Sequence, residues 1–286
     1  MTVPTTTVPT VALNDGTHIP QLGFGVFLVP PDQTQRIVEQ AFEVGYRHID
    51  TAQMYGNEAE VGAAIAATGI PREDLYVTTK LNNGHHRPDD ARRSFAESLE
   101  KLGLDHVDLF LIHWPLPTRY DGDFVTTWRT LVELREGGGT TSVGVSNFEP
   151  DHLDRIVDET GVVPAVNQIE VNPYFTNEAA RAADARHGVA NEAWSPIARG
   201  AISGDAAIEG IAERLERTPA QVTLRWHLQR GDIVFPKSMH RERMVENFAL
   251  FDFELTDADM SAISALDRGE SGRTGPNPNT FDTIRR

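Results

Sequence analysis

LYVTTK (75–80), DDARRSFAESLEKLG (89–103) and VDLFLIHW (107–114) follow one another within 40 residues. The outer two are short apolar runs rich in β-formers. The middle one places Leu99 and Leu102 at helical spacing among charged residues, so the unit reads as strand, amphipathic helix, strand. The alternation extends in both directions, with further β-rich runs at QLGFGVF (21–27), YRHIDT (46–51), TSVGVS (141–146), AVNQIE (165–170), ANEAWS (190–195) and DIVFPKS (232–238). The first connecting segment carries Ile37, Ala41 and Val44, again with a helical period. Each connection is long enough for a crossover helix, which makes the strands parallel. Eight such units in about 250 residues match a closed (β/α)8 TIM barrel, with a doubly wound sheet as the alternative.

Outside this array, Asn14-Asp15-Gly16 in TVALNDGTHIPQLG supplies the turn of an N-terminal β-hairpin. No Pro/Gly/Ser linker divides the chain, so residues 1–286 are expected to form a single domain, with the barrel over about 21–267. Residues 268–286, RGESGRTGPNPNTFDTIRR, are Gly-, Pro- and Asn-rich without periodicity. They form an irregular C-terminal tail that either covers one mouth of the barrel or is disordered.

Composition excludes several classes. The chain has a formal net charge of −16 and no basic run, so nucleic acid is not an expected partner. No stretch is long and apolar enough for a membrane helix, and the Thr/Pro-rich start lacks the positive and apolar regions of an export signal. Zero cysteines remove disulfides, thiolate metal sites and cysteine nucleophiles. A cytoplasmic protein is expected.

In parallel barrels the working residues sit at the carboxyl ends of strands, where the loops converge. Asp50, Lys80, His113, Ser146 with Asn147, and Gln168 occupy such positions at intervals of 30, 33, 33 and 22 residues, and Tyr55 lies close to Asp50 in sequence. Strand ends meet solvent and are often polar for that reason alone. Asp, Lys, His and Tyr together, however, make an acid–base set. A free phenol is a weak acid near neutrality; an adjacent ammonium favours the phenolate and is expected to lower the Tyr55 pKa, and a carboxylate keeps the Lys charged. His113 would align a carbonyl oxygen with Tyr55. Such a site needs an electron source, yet GFGVFL (23–28) and GGGTTS (137–142) both lack the dinucleotide fingerprint, and no Walker sequence occurs.

The segments GYRHIDTAQMYGNEAEVG (45–62), VTTKL with Lys80, LFLIHWP (109–115), VGVSNF (143–148), NQIEVNP (167–173), AWSP (193–196) and PKS followed by Arg243 and Glu246-Asn247 resemble the aldo-keto reductase family, in order from about Gln21 to Asp267. Within it the chain is most similar to the bacterial branch of 2,5-diketo-D-gluconic acid reductases. The resemblance implies NADPH-dependent reduction of an aldehyde or ketone, with a keto sugar or diketone among the candidates. It implies a tetrad of Tyr55 as proton donor, Lys80 and Asp50 tuning it, and His113 orienting the substrate. A nicotinamide amide would be held by Ser146, Asn147 and Gln168, with its ring stacked on Trp194. Lys237, Ser238 and Arg243 would take the adenosine phosphate, with Glu246 and Asn247 also on the cofactor, and Phe27 and Trp114 would line the substrate pocket. A monomer acting on a small carbonyl compound is implied.

Some positions depart from the pattern. Asn82 stands where the branch has Trp, making one pocket wall polar, and His240 replaces a basic residue of some relatives, which would weaken NADPH selectivity. Gly137 to Gly139 suggest a flexible connection away from the chemistry. His85 and His86 lack a third ligand and are a weak metal candidate. Two other classes compete with the reductase: a non-catalytic NADPH-binding barrel, against which the complete tetrad argues, and a metal-dependent hydrolase, which would need a His-x-His strand signature.

Overall fold

The computed structural model describes residues 8–284. Residues 1–7, on which the expectation about an export signal largely falls, and residues 285–286 at the end of the tail lie outside the described residues.

Among the described residues there are ten strands: β1 (Thr10–Ala12), β2 (His18–Pro20), β3 (Phe24–Gly25), β4 (His48–Asp50), β5 (Tyr76–Leu81), β6 (Val107–Ile112), β7 (Thr140–Ser146), β8 (Val166–Glu170), β9 (Ala190–Trp194) and β10 (Ile233–Val234). The helices are α1 (Pro31–Val44), α2 (Glu58–Thr68), α3 (Pro88–Leu102), α4 (Phe124–Glu136), α5 (Pro150–Thr160), α6 (Glu178–His187), α7 (Ala206–Leu215), α8 (Pro219–Gln229), α9 (Arg241–Phe248) and α10 (Asp257–Ser264). Strands β3 to β10 pair in sequence order, each parallel to the next. The last meets the first: Gly23 N–H donates to the Val234 carbonyl at 2.8 Å and Val234 N–H to that of Gln21 at 3.0 Å. The sheet is therefore a closed (β/α)8 barrel, as the alternation predicts.

All six residues of β5 are buried, as expected of a strand with a filled interior on one side and helices on the other. Four of the helices, α1, α3, α5 and α8, begin on a proline, whose missing N–H costs nothing in the first turn. The two strands that close the barrel are shorter than the runs 21–27 and 232–238 suggest. Phe235 presses its carbonyl against Gly25, where a Cβ would lie 2.7 Å from that oxygen, and Pro236 brings no N–H to extend the ladder.

The amino-terminal hairpin and the tail lie at opposite ends of the barrel. Antiparallel β1 and β2 plug the amino-terminal end: Leu13 and Ile19 pack with Tyr76, Leu109, Leu111, Val166 and Ile233, and Asn14 Nδ2 donates to the Pro164 carbonyl at 2.8 Å. The carboxyl end carries the polar residues considered below. A larger apolar cluster, including Phe110, Trp128 and Trp226, lies between barrel and helices. No described helix is long and apolar enough to cross a membrane.

The expectation of flexibility at Gly137 to Gly139 is replaced by a packing reason. Gly138 turns the chain with φ of +80°, and a Cβ on Gly139 would sit 2.6 Å from the Phe95 ring. Gly144 is tighter still. Its missing side chain leaves room for the Val166 carbonyl and Leu111 Cδ2, which a Cβ would meet at 2.6 and 2.7 Å. Gly144→Ala is therefore expected to lower unfolding stability by about 1–3 kcal/mol through overpacking, read as a reduced urea midpoint at unchanged slope.

Candidate active site

Lys80 lies at the centre of the carboxyl end. Its side chain extends along β5 with no exposure to solvent, a position an ammonium occupies only when its donors are satisfied. Nζ donates to Asp50 Oδ1 at 2.7 Å, Asp50 Oδ2 at 2.8 Å and the Thr51 carbonyl at 2.9 Å, and lies 3.3 Å from the Tyr55 hydroxyl. Asp50 ends β4 and faces Thr78 in the register, which brings its carboxylate beside Lys80, two residues further along β5. Tyr55 ends a one-turn 3-10 helix, Gln53–Tyr55, and Gly56 follows at φ of +68°.

Burial lowers the Lys80 pKa, but the attraction of the Asp50 carboxylate and of Tyr55 outweighs it and leaves the pKa raised, so Lys80 stays an ammonium. Tyr55 departs from expectation. Burial raises its pKa, the nearby Asp50 charge adds to the rise, and the Lys80 charge and hydrogen bond only partly offset them. The phenol thus holds its proton at neutral pH, with the Lys80 ammonium beside it.

His113 follows β6, and its ring centroid lies 5.7 Å from that of Tyr55 at a steep angle. Phe27 closes the opposite side of the phenol at 5.0 Å and is 44% exposed, with Leu28 beside it 66% exposed. Trp114, next to His113, packs on Phe281 of the tail at 4.3 Å. The expected members of the tetrad and the two pocket aromatics are therefore gathered at one mouth.

A second group adjoins the first. Ser146 ends β7 opposite Gln168 of β8, and its hydroxyl donates to the Gln168 carbonyl at 2.8 Å. Asn147, at φ of +62°, donates from Nδ2 to the His113 carbonyl at 2.9 Å and to Ser146 Oγ at 3.0 Å, while its Oδ1 accepts the Trp194 indole N–H at 2.8 Å. Gln168 Nε2 donates to Asp50 Oδ2 and Glu192 Oε2, each at 2.9 Å. The four residues expected to hold a nicotinamide are thus wired together and to the tetrad. Both hydrogens of the Gln168 amide are used, leaving its Oε1 to accept from a ligand such as a carboxamide.

The expected phosphate residues form a separate group between β10 and α9. Lys237 and Arg243 are exposed and, among the described residues, carry no hydrogen bond or ion pair. The Ser238 hydroxyl bridges the N–H and carbonyl of His240 at 3.1 Å each, shaping the turn into α9. Glu246 is half-buried and Asn247 buried on the second turn of α9.

His85 and His86 make no metal site: among the described residues no cluster of three or more His, Cys, Asp or Glu could hold an ion. The His86 ring stacks on Tyr120 at 5.1 Å, and burial lowers its pKa to about 3, so it is neutral packing. Asn82 spends its Oδ1 on Gly84 N–H at 3.0 Å and its own N–H on Gln53 Oε1 at 2.7 Å, which ties the polar wall to the turn bearing Tyr55.

Residue types alone did not reveal the tail's attachment. Glu170 at the end of β8, buried, accepts Thr274 N–H at 2.6 Å, the Thr274 hydroxyl at 2.7 Å and Gly275 N–H at 2.9 Å. Gly275 approaches Trp194 so closely that a Cβ would lie 2.3 Å from the indole. Asn83 Nδ2 donates to the Thr283 carbonyl at 2.9 Å, and Arg119 pairs with Asp282 at 3.1 Å. The tail covers the mouth. The signal available was an acid, Glu170, at the end of the strand run AVNQIE.

The sequence pattern of the Aldo/keto reductase family matches residues 21–268. The chain belongs to the aldo/keto reductase family. It is 45% identical over 280 residues to a methylglyoxal reductase of Yersinia pestis, covering 97% of this chain and 99% of the relative. The structure superposes on a variant of the protein Gox0644 solved in complex with NADPH, with a TM-score of 0.92 at 44% identity over 96% of this aldo/keto reductase and 99% of that chain. A putative 2,5-diketo-D-gluconic acid reductase B gives a TM-score of 0.88 at 38% identity, covering 93% and 92% of the two chains.

Glu170 makes three hydrogen bonds to the tail of this aldo/keto reductase, each strengthened by its charge. Glu170→Ala is expected to leave the barrel folded but release the segment from 268 onward, read as limited proteolysis at the tail accelerated by about tenfold or more.

Proposed function

We propose that the protein reduces an aldehyde or ketone to the alcohol with NADPH, with Tyr55 as proton donor. The observation that carries this is the Lys80 ammonium, held by both oxygens of Asp50 and 3.3 Å from the Tyr55 hydroxyl. That is an acid with its counter-charge already in place.

The donor set suits a nicotinamide. Gln168 offers an acceptor for a carboxamide N–H, Ser146 and Asn147 are tied beside it, and the Trp194 indole, fixed by its bond to Asn147, provides a flat face. The unpartnered charges of Lys237 and Arg243 suit a 2′-phosphate. Relatives solved with NADPH or NADP favour the same cofactor. The reduced nicotinamide, when bound, supplies a hydride to the carbonyl carbon.

The residues then do four things. His113 and Tyr55 orient the carbonyl oxygen between them. Tyr55 gives that oxygen its proton as the C=O electrons move onto it. Lys80 stabilises the resulting phenolate, and Asp50 keeps Lys80 charged. Phe27, Trp114 and Phe281 shield the site from water, which strengthens the charge interactions within it. All these groups come from one chain, so the reaction needs no partner subunit, and its demand for NADPH suits the cytoplasm.

For substrate we favour a small compound with adjacent carbonyls or a keto sugar. Aromatic walls on two sides and the polar Asn82 edge suit a short, oxygenated molecule, and relatives named methylglyoxal reductase point the same way. The gathered tetrad favours this over a non-catalytic NADPH-binding barrel.

Tyr55→Phe is expected to cut kcat for methylglyoxal by about 10²–10⁴ while NADPH binding stays within twofold; turnover near the wild-type rate would refute the assignment. Replacing both Lys237 and Arg243 with Ala is expected to weaken NADPH binding about 10- to 100-fold and leave NADH binding unchanged, as measured by quenching of tryptophan fluorescence.

A further inference from the structure

Glu192 is wholly buried inside the barrel on β9, level with Gln168 in the register, yet the proposed reaction gives it no role. Its Oε2 accepts one N–H of the Gln168 amide at 2.9 Å while Asp50 Oδ2 accepts the other at the same distance. An amide tethered through one N–H can still swing about that bond. Tethered through both, to groups on different strands, it is fixed, and its Oε1 becomes the only end it can present. Its Oε1-presenting face is the one the Gln168 role in NADPH binding requires.

We propose that Glu192 is a positioning residue of the reductase: with Asp50 it fixes the amide of Gln168 for the nicotinamide carboxamide, and its proton couples that grip to the charge around Lys80. This rests on the NADPH-dependent reductase reading. Burial, with Asp50 nearby, raises the Glu192 pKa to about 8, so at neutral pH the group is an uncharged acid. The titratable groups around it are Asp50 and His48 on β4 and Lys80 and Tyr76 on β5. His48, whose Nε2 lies 4.0 Å from Glu192 Oε1 and 3.1 Å from Thr78 Oγ1, is held neutral by burial with a pKa of about 3 and supplies no positive charge. Tyr76 is raised well above the ordinary phenol value, again chiefly by burial, and supplies no charge either. Only Lys80 is left to offset a second carboxylate.

The sign of the effect follows. When pH rises through the Glu192 titration, a new negative charge appears one amide away from Asp50. It disfavours loss of the Tyr55 proton and so weakens the proton donor. Reduction should fall on this alkaline limb in addition to any intrinsic loss from Tyr55 itself. A group with a merely structural role would leave the limb where it was.

The test compares wild type, Glu192→Gln and Glu192→Leu. NADPH and 2′,5′-ADP binding are followed by tryptophan fluorescence, and kcat for methylglyoxal is followed from about pH 6 to 9.5, the range spanning the expected titration. Glu192→Gln keeps an acceptor for Gln168 but cannot ionise; it is expected to bind NADPH within twofold and to shift the alkaline limb upward. Glu192→Leu removes the acceptor and is expected to bind NADPH about tenfold more weakly, the cost of one lost hydrogen bond, with 2′,5′-ADP binding unchanged. Retained 2′,5′-ADP binding reports that the variant is folded; should the Leu variant not fold, the Gln variant's pH profile decides. Superimposed limbs for wild type and Glu192→Gln, or wild-type NADPH affinity in folded Glu192→Leu, would overturn the proposal. Wild type that binds NADPH but reduces no carbonyl would instead refute the reductase reading on which it depends.

Discussion

An ammonium with no access to solvent must have its charge answered on the spot, and the whole carboxyl end of this barrel is arranged around that requirement at Lys80. Removing one partner of a buried ion pair costs about 3–5 kcal/mol, because the other charge is then stranded. Asp50 answers it with both oxygens. Asp50 is then shared with Gln168, which is shared in turn with Glu192, while the Gln168 carbonyl holds Ser146 and, through it, Asn147 and Trp194. Starting from one charge, a continuous set of hydrogen bonds links five of the eight barrel strands, β4, β5, β7, β8 and β9. Rigid elements carry the chemistry, and the loops and tail shape what reaches it.

The same buried network explains why a simple electrostatic argument gives the wrong direction for Tyr55. Proximity of Lys80 does favour the phenolate, but the phenol and Asp50 share the low-dielectric surroundings that keep Lys80 in place, and burial outweighs the attraction. The result is a phenol that keeps its proton beside a permanent positive charge.

Much of this was legible in the sequence, for identifiable reasons. Strands buried on both faces read as continuous apolar runs, so VDLFLI and LYVTTK mark β6 and β5 almost to the residue. The closing strands were overextended because nothing local in QLGFGVF or DIVFPKS announces that Phe235 lies on Gly25. Asp50, Lys80 and His113 stand out because they are polar where strands end, and Tyr55 because it follows Asp50 closely. Glu170 and Glu192 are not legible in this way, because an acid at the end of β8 or inside β9 acquires meaning only from its distant partners, Thr274 and Gly275 for the one and Gln168 for the other, which sequence does not display. The tail's place over the mouth is not legible in its own sequence because it is fixed by Glu170, Trp114 and Asn83, each supplied by a distant part of the chain.

The two ends of the described chain lie at opposite ends of the barrel. The hairpin of β1 and β2 plugs the amino-terminal end; the segment from Thr274 to Thr283 lies over the carboxyl end, against Trp194, Trp114 and Asn83. Additions to the protein are therefore not equivalent. An N-terminal fusion or affinity tag joins the chain upstream of the hairpin that plugs the end opposite the tetrad. One at the other terminus follows Phe281 and Thr283, which touch Trp114 and Asn83. In comparing preparations of this enzyme, the placement of a tag belongs among the variables that set apparent substrate preference.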